Sequence, residues 1–279
     1  MPSGSAIEEY YDTLSARFIR DCVYGNDRVR YQTAFLSSAI PRGVSSVLVV
    51  GCGAGQTPWH IARCCARKAH VLGIDISGAA LQIARAIHSH PRVEYRQADI
   101  LRDAVEGRWD VIVLPDVYEH IPLEDRVALH EVLSRLLSDR GRVLLTCPSP
   151  TYQAFLRERH PEKLQIVDET VTLEDLADLA RDLSGALTFF NVVSVWNRND
   201  YLHATIERGG ERSGPIKAQE NGPIQPLRRA TGLVKTWRRC LRRSHLDKPV
   251  FWMRQWRIRR ALQRLDKGES PGRGQPPAR

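Results

Sequence analysis

The chain has 279 residues, 42% of them hydrophobic and 26% charged, which is typical of a soluble globular protein with one well-filled domain and extensions. It contains no run of about 18 apolar residues, and its acidic, polar N-terminus lacks a signal-peptide pattern, so we expect neither a transmembrane helix nor secretion. The net charge of +9 is uneven: residues 226–279 contain 16 Lys and Arg against 3 Asp and Glu, whereas residues 1–225 contain 25 against 29.

Apolar and aromatic residues recur at intervals of three and four over residues 5–40, which predicts an N-terminal helical cap interrupted at Gly25–Asp27. Short apolar runs then alternate with amphipathic segments, as in βαβ units with a parallel sheet. The predicted strands are 47–50, 71–74, 93–96, 110–114 and 142–146, and the helices between them are 57–68, 78–88 and 123–138. We therefore predict an α/β fold.

The second half of the chain is less regular. A capping-box pattern at Thr172 predicts a helix, and residues 192–196 and 201–206 predict a hairpin at the sheet edge. The predicted organisation is a cap at 1–43, a main domain at 44–207 with an insertion at 148–171, a linker at 208–226 and a basic amphipathic tail at 227–279.

The strand Val47–Val50 leads directly into a glycine-rich turn, Gly51–Gly55. Glycine permits a sharp turn and a close ligand approach at a strand end. A dinucleotide oxidoreductase is the competing interpretation, but its G-x-G-x-x-G pattern requires glycine where this chain has Gln56. Acids follow the next two strands, Asp75 where a ribose would bind and Asp99 where an adenine would bind.

These motifs together resemble class I S-adenosylmethionine (SAM)-dependent methyltransferases over roughly residues 8–206. The matching segments are VLVVGCGAG (47–55), GIDIS (73–77), QADI (97–100) and DVIVLPDVYEHIP (110–122). The resemblance is nearest to small-molecule and saccharide O-methyltransferases, and it implies a Rossmann-like sheet with N-terminal helices folded over SAM. It also implies cofactor contacts from Tyr11, Arg30, Gly51, Cys52, Gly53, Gly55, Asp75, Ile76, Asp99, Ile100, Pro115 and Asp116, with Tyr10 and Arg28 as further candidates.

A hydroxyl acceptor must lose a proton during methyl transfer, and His120 is a candidate base just past the fourth strand. Glu119 is an alternative, and His160 in the insertion is a third candidate. The competing interpretation is that the segment 119–122 only shapes the loop. We predict no metal, because the six cysteines form no CxxC pair or other ligand spacing; we expect them to be reduced thiols in the cytoplasm.

Carboxylates and aromatic residues around the insertion favour a small-molecule or glycan acceptor, so we predict O-methylation of a sugar or of a glycan, including a lipid-linked one. Arginine and tryptophan alternate over residues 227–266, which indicates binding to a membrane surface or a partner protein; docking on the enzyme body and nucleic-acid binding are alternatives. The competing functions are an RNA methyltransferase that grips RNA with the tail, and a SAM-binding module without catalysis.

Overall fold

A computed structural model describes residues 4–209 of the chain. The predicted tail at 227–279 lies outside the described residues, and so does the linker predicted at 208–226 except for its first two residues. The last strand continues to Arg208, one residue into that linker. The other predicted domain boundaries stay predictions.

Seven strands form one mixed sheet in the order β3-β2-β1-β4-β5-β7-β6. The strands are β1 (Ser46–Val50), β2 (His70–Asp75), β3 (Val93–Gln97), β4 (Trp109–Pro115), β5 (Leu137–Pro148), β6 (Gly185–Val193) and β7 (Tyr201–Arg208). Strands β1 to β5 are parallel, and β7 runs antiparallel between β5 and β6. The predicted α/β class is confirmed. Strands β2 and β3 extend the sheet on one side of β1, and β4 and β5 extend it on the other. Open α/β sheets bind ligands beyond the strand ends at such a change of side.

Eight α-helices accompany the sheet within the described residues. They are α1 (Gly4–Thr13), α2 (Ser15–Tyr24), α3 (Asp27–Ala39), α4 (Gln56–His60), α5 (Gly78–Ile87), α6 (Arg126–Leu136), α7 (Pro150–Arg159) and α8 (Leu173–Asp182). The capping box at Thr172 is present, with its hydroxyl accepting from the Asp175 N–H. No helix of this described range has the length and apolar character to cross a membrane.

Alternation along the central strands divides the core between the two faces of the sheet. Leu48 and Ile112 belong to the core under α6 and α8, whereas Val49 and Val113 belong to the core under α3 and α5. The strands are covered on both sides, and their carboxyl ends open toward the segments that build the site.

Three predicted elements differ from the structure. The helix predicted at 57–68 is α4 followed by a π-helical turn, Ile61–Cys65. The helix predicted at 123–138 ends at Leu136, because Leu137 already pairs with Trp109 as the start of β5. The strand predicted at 192–196 is β6, which runs from Gly185 to Val193, so residues 194–196 belong to the loop before β7. A register shift between Leu187 and Phe189 disrupts the period of two that would have marked its first half.

His203 on β7 is 4% exposed, and its ring stacks on Phe35 of α3 with 4.8 Å between ring centroids. Burial lowers the pKa of His203 from 6.5 to about 4. Between these two values the unfolded chain binds more protons than the folded one, so this histidine lowers stability as pH falls from about 6.5 to about 4. His203→Phe keeps the ring and is expected to recover about 2–3 kcal/mol of unfolding free energy at pH 4 and little at pH 7.5.

Urea unfolding at pH 7.5 and at pH 4–5 measures this difference. His70→Gln is the matched control because the His70 side chain is 52% exposed. Equal pH dependence of the wild type and His203→Phe would contradict the assignment.

Candidate active site

A cavity of about 1010 Å³ lies at the carboxyl ends of the parallel strands. Helices α1 to α3 cover one side of it, and the segment from Pro148 to Asp168 covers another. Its volume is at the upper end of the range for ligand pockets, about 300–1,000 Å³. The cavity therefore has room for a cofactor together with an acceptor.

The glycine turn forms the floor of this cavity. Gly51 has φ +65°, and a Cβ there would lie only 2.3 Å from Cγ2 of Val117, so no larger side chain fits without displacing the loop after β4. Gly53 and Cys52 line the cavity directly. Gly55 has φ +80° but faces the other way, where an added Cβ would meet the hydroxyl of Tyr95 at 2.5 Å.

Asp75 lies at the end of β2 and lines the cavity together with Ile76. Its carboxylate accepts hydrogen bonds from the Gly53 N–H at 2.7 Å and from the Ser77 N–H at 2.9 Å. Burial is the largest effect on this group and raises the pKa of Asp75. Each carboxylate oxygen keeps a lone pair for a further donor, which is what a pair of ribose hydroxyls would require.

Asp99 follows β3, and with Ile100 it forms the neighbouring wall of the cavity. One oxygen of Asp99 accepts from the Leu101 N–H at 2.9 Å, and Arg102 lies 3.4 Å from the other. The carboxylate is thus fixed in orientation, two strand ends away from the glycine turn.

Asp116, directly after β4, has φ +56°, which is uncommon for a residue with a side chain. Arg28 of α3 forms an ion pair with its carboxylate, and the Tyr201 hydroxyl donates to the other oxygen at 2.5 Å. The Nε of Arg28 is buried without a hydrogen-bond partner among the described residues. An anionic ligand group here would satisfy that donor, while Asp116 offers a carboxylate to a cationic one.

Glu119 and His120 project into the cavity from a short 3₁₀ turn after β4. The Nδ1 of His120 lies 2.7 Å from the Val167 carbonyl oxygen, which can only accept, so Nδ1 carries the proton and Nε2 is left as an acceptor. Burial lowers the pKa of His120, and burial raises that of Glu119 to about 8. The histidine is therefore neutral at pH 7, in the form that a general base needs.

The segment after α7 contributes another wall of the cavity. Asp168 accepts from the Gln153 amide and from the Gln165 N–H, and Arg157 donates to the Asp168 carbonyl oxygen at 2.6 Å. Trp196 lines the opposite wall; its loop is held by Asp200, whose carboxylate accepts from three consecutive backbone N–H groups, 195–197.

Residues 47–141 match the family model described as a methyltransferase domain. The ubiquinone biosynthesis O-methyltransferase of Alkalilimnicola ehrlichii is 35% identical over 114 residues, which are 39% of this chain and 44% of that protein. The N-demethylindolmycin N-methyltransferase of Streptomyces griseus is 27% identical over 64% of this chain and 75% of its own length. This chain spans less than half the length of the ubiquinone-biosynthesis relatives that it matches.

The crystal structure of magnesium protoporphyrin IX methyltransferase from Synechocystis PCC 6803, with bound SAH, aligns with a TM-score of 0.57 at 17% identity, over 74% of this chain and 99% of that one. The fold comparison thus agrees with the match of residues 47–141 to the family model. Residues 47–141 match a methyltransferase domain, and the described fold is that of SAM-dependent methyltransferases. The predicted family is thereby confirmed, and with it SAM as the cofactor expected of this domain.

Most of the residues predicted to bind the cofactor meet around the cavity of the methyltransferase domain. They are Tyr11, Gly51, Cys52, Gly53, Asp75, Ile76, Asp99, Ile100, Pro115 and Asp116. Two do not line it: Gly55 supports the turn from behind, and Arg30 forms an ion pair with Asp27 on an exposed part of α3. Arg28 lies on the cavity side of α3 and Arg30 on its exposed side, so a cofactor contact from Arg30 stays a prediction without support from the geometry.

Of the three predicted catalytic residues, two line the cavity and one does not. Glu119 and His120 lie together in the methyltransferase domain, with 3.8 Å between Glu119 Oε1 and His120 Nε2. His160 directly follows α7, lies 3.2 Å from Glu162 and is not among the residues that line the cavity, so its catalytic role stays a prediction without support from the geometry. Sequence reasoning missed the Val167 carbonyl that fixes the His120 tautomer, because a backbone acceptor leaves no residue signature.

Sequence reasoning also missed a buried link beneath the glycine turn. The Thr57 hydroxyl donates to the Gln32 amide oxygen at 3.0 Å, and the Gln32 amide nitrogen donates to the Thr146 hydroxyl at 3.0 Å. These bonds join α4, α3 and β5 across the base of the site. A polar residue on the inner side of a predicted helix is the signal that could have identified Gln32.

Proposed function

We propose that this protein transfers the methyl group of SAM to a hydroxyl oxygen of a polyhydroxyl acceptor, with a sugar as the acceptor class. One observation carries the proposal. The cavity that the predicted cofactor residues line is also lined by a buried histidine whose Nδ1 is committed to the Val167 carbonyl oxygen, which leaves Nε2 as the atom that can accept a proton.

The cofactor residues fit SAM by charge as well as by shape. Asp75 offers lone pairs to ribose hydroxyls, and the unsatisfied Nε of Arg28 beside Asp116 suits a group that carries both a carboxylate and an ammonium. When bound, SAM supplies an electrophilic methyl group on a cationic sulfur. The chain's part is to align the acceptor oxygen with that methyl and to remove its proton.

The acceptor side supports a hydroxyl-rich molecule. His120 Nε2 and Glu119 Oε1 are 3.8 Å apart, so neighbouring hydroxyl groups could reach both. Glu119 Oε2 is buried and has no hydrogen-bond partner within residues 4–209. As the acceptor oxygen takes the methyl group, its proton passes to His120 Nε2, and Glu119 holds the adjacent hydroxyl. The relatives' names include an O- and an N-methyltransferase, so an amine is the second acceptor class to test.

The test uses SAM labelled in its methyl group and a panel of free sugars, glycosides, phenols and amines. We expect label in a sugar product as an ether, which resists the mild alkali that cleaves a methyl ester. Asp75→Asn is the matched control for cofactor dependence. Label found only in an amine, a carboxylate or a nucleobase would contradict the proposed acceptor.

A further inference from the structure

A series of hydrogen bonds runs from a buried tyrosine to an exposed aspartate behind the turn that carries Glu119 and His120. The hydroxyl of Tyr118 is 2.8 Å from Nε2 of His130 on α6, and Nδ1 of His130 is 2.6 Å from the Asp182 carboxylate at the end of α8. Tyr118 is fully buried and His130 is 4% exposed. None of the three side chains lines the cavity.

The direction of each of these two hydrogen bonds follows from the Asp182 carboxylate, where the series ends. The Asp182 carboxylate oxygen accepts, so His130 donates from Nδ1 and leaves Nε2 to accept from the Tyr118 hydroxyl. Each ring nitrogen of His130 thus has one partner, and the ring has one orientation. A buried polar chain that is fully paired specifies a single arrangement of the elements it joins.

Arg126 extends the same support to the segment that holds His120 through Val167. Its guanidinium carbon lies 4.8 Å from the centre of the Tyr118 ring, and its nitrogens bind the Asp175 carboxylate and the Thr170 carbonyl oxygen. Thr170 follows the segment whose Val167 carbonyl holds His120. The turn and the segment facing it are therefore fastened to one residue of α6.

A direct backbone bond closes this arrangement. The Glu169 N–H donates to the Glu119 carbonyl oxygen at 2.7 Å. The turn is thus tied to the facing segment next to Glu119, and to α6 and α8 through the neighbouring Tyr118. A phenylalanine at 118 would fill the same space, so the hydroxyl contributes orientation and not volume.

We propose that Tyr118, His130 and Asp182, with Arg126, are positioning residues that set the His120 ring against Val167 and toward the acceptor. The catalytic consequence rests on the proposed function, because it assumes that His120 takes the acceptor proton. The geometric part does not: it says that the ring and tautomer of His120 depend on groups outside the cavity.

The test compares three variants of the full chain. Tyr118→Phe removes the hydroxyl, and Asp182→Ala removes the carboxylate at the end of the hydrogen-bond series, where the side chain is 42% exposed. Asp178→Ala is the matched control, because Asp178 is on the same helix and is 54% exposed. We expect kcat to fall about tenfold in Tyr118→Phe, since small misplacements of a reacting group are costly, and by less in Asp182→Ala. The dissociation constant for SAM is expected to stay within about twofold, and Asp182→Glu to recover activity.

Nitrogen-15 NMR of the histidines gives a readout that does not need an acceptor. We expect His120 in the wild type to be a single Nδ1–H tautomer, and in Tyr118→Phe to show exchange broadening or a mixture of tautomers. An unchanged His120 spectrum and unchanged kcat in a variant that only melts earlier would overturn the proposal. If the wild type methylates no acceptor while the NMR change appears, the proposed function has failed and the positioning role stands.

Discussion

Replacing Asp75 with asparagine is expected to weaken SAM binding by about 100-fold or more. The carboxylate lines the cavity at the end of β2 and has a lone pair free on each oxygen. Charge-assisted hydrogen bonds contribute about 1.5–3 kcal/mol each, and two ribose hydroxyls would both lose such a partner. Asparagine keeps one carbonyl oxygen for a backbone N–H, so the turn is expected to fold. Calorimetric titration with SAM measures the change.

Asp139→Asn is the matched control, because that side chain is 89% exposed on the strand β5. It is expected to bind SAM as the wild type does. A thermal melt of each variant separates loss of binding from loss of fold. Equal SAM affinity in Asp75→Asn and the wild type would remove Asp75 from the cofactor site.

Replacing His120 with phenylalanine is expected to lower kcat by a factor of about 10²–10⁴, the usual contribution of general acid–base catalysis. Phenylalanine keeps a ring against Tyr11, whose ring centroid lies 6.2 Å from that of His120, but it supplies no proton acceptor. The SAM dissociation constant is expected to change by less than about threefold, because the base acts on the acceptor. Steady-state kinetics with methyl-labelled SAM and the acceptor that takes up the label, beside a SAM titration, measures both.

The control for this substitution is His160→Phe, which changes a histidine that is 40% exposed and outside the cavity. It is expected to leave kcat unchanged. If His120→Phe retains wild-type kcat, the turn only shapes the loop and the base is another group; if His160→Phe loses activity instead, the assignment of the two histidines is reversed.

The cofactor side of the site could be predicted from the sequence because its parts are local. A buried strand followed by Gly51 and Gly53 requires a tight turn, and acids such as Asp75 and Asp99 stand immediately after strands whose ends share one edge of the sheet. Each of these signals is contained in a few consecutive residues, and parallel pairing brings them together without further information.

The choice between similar residues could not be predicted. Arg28 and Arg30 lie two positions apart on α3, and only the docking angle of that helix decides which reaches Asp116. His120 and His160 both follow plausible segments, yet only His120 meets a carbonyl acceptor from a loop 47 residues away. Such contacts depend on tertiary packing, which composition and periodicity do not encode.

The bounds of the edge strand β6 could not be predicted for a different reason. Strand β6 carries exposed aromatic residues, Phe189 and Phe190, next to a register shift, so neither burial nor alternation marks its first half. The hairpin itself was predicted from the turn at residues 197–200, and it is present.

The central claim is that the cavity at the ends of β1, β2 and β4 is a SAM site. Titration of the wild-type protein with SAM, with its product S-adenosylhomocysteine and with NAD⁺ in separate experiments tests it most directly. We predict saturable one-to-one binding of the two adenosyl sulfur compounds, which compete with each other, and no binding of NAD⁺. Saturable binding of NAD⁺ without binding of SAM would contradict this claim and would identify the glycine turn as part of a dinucleotide site.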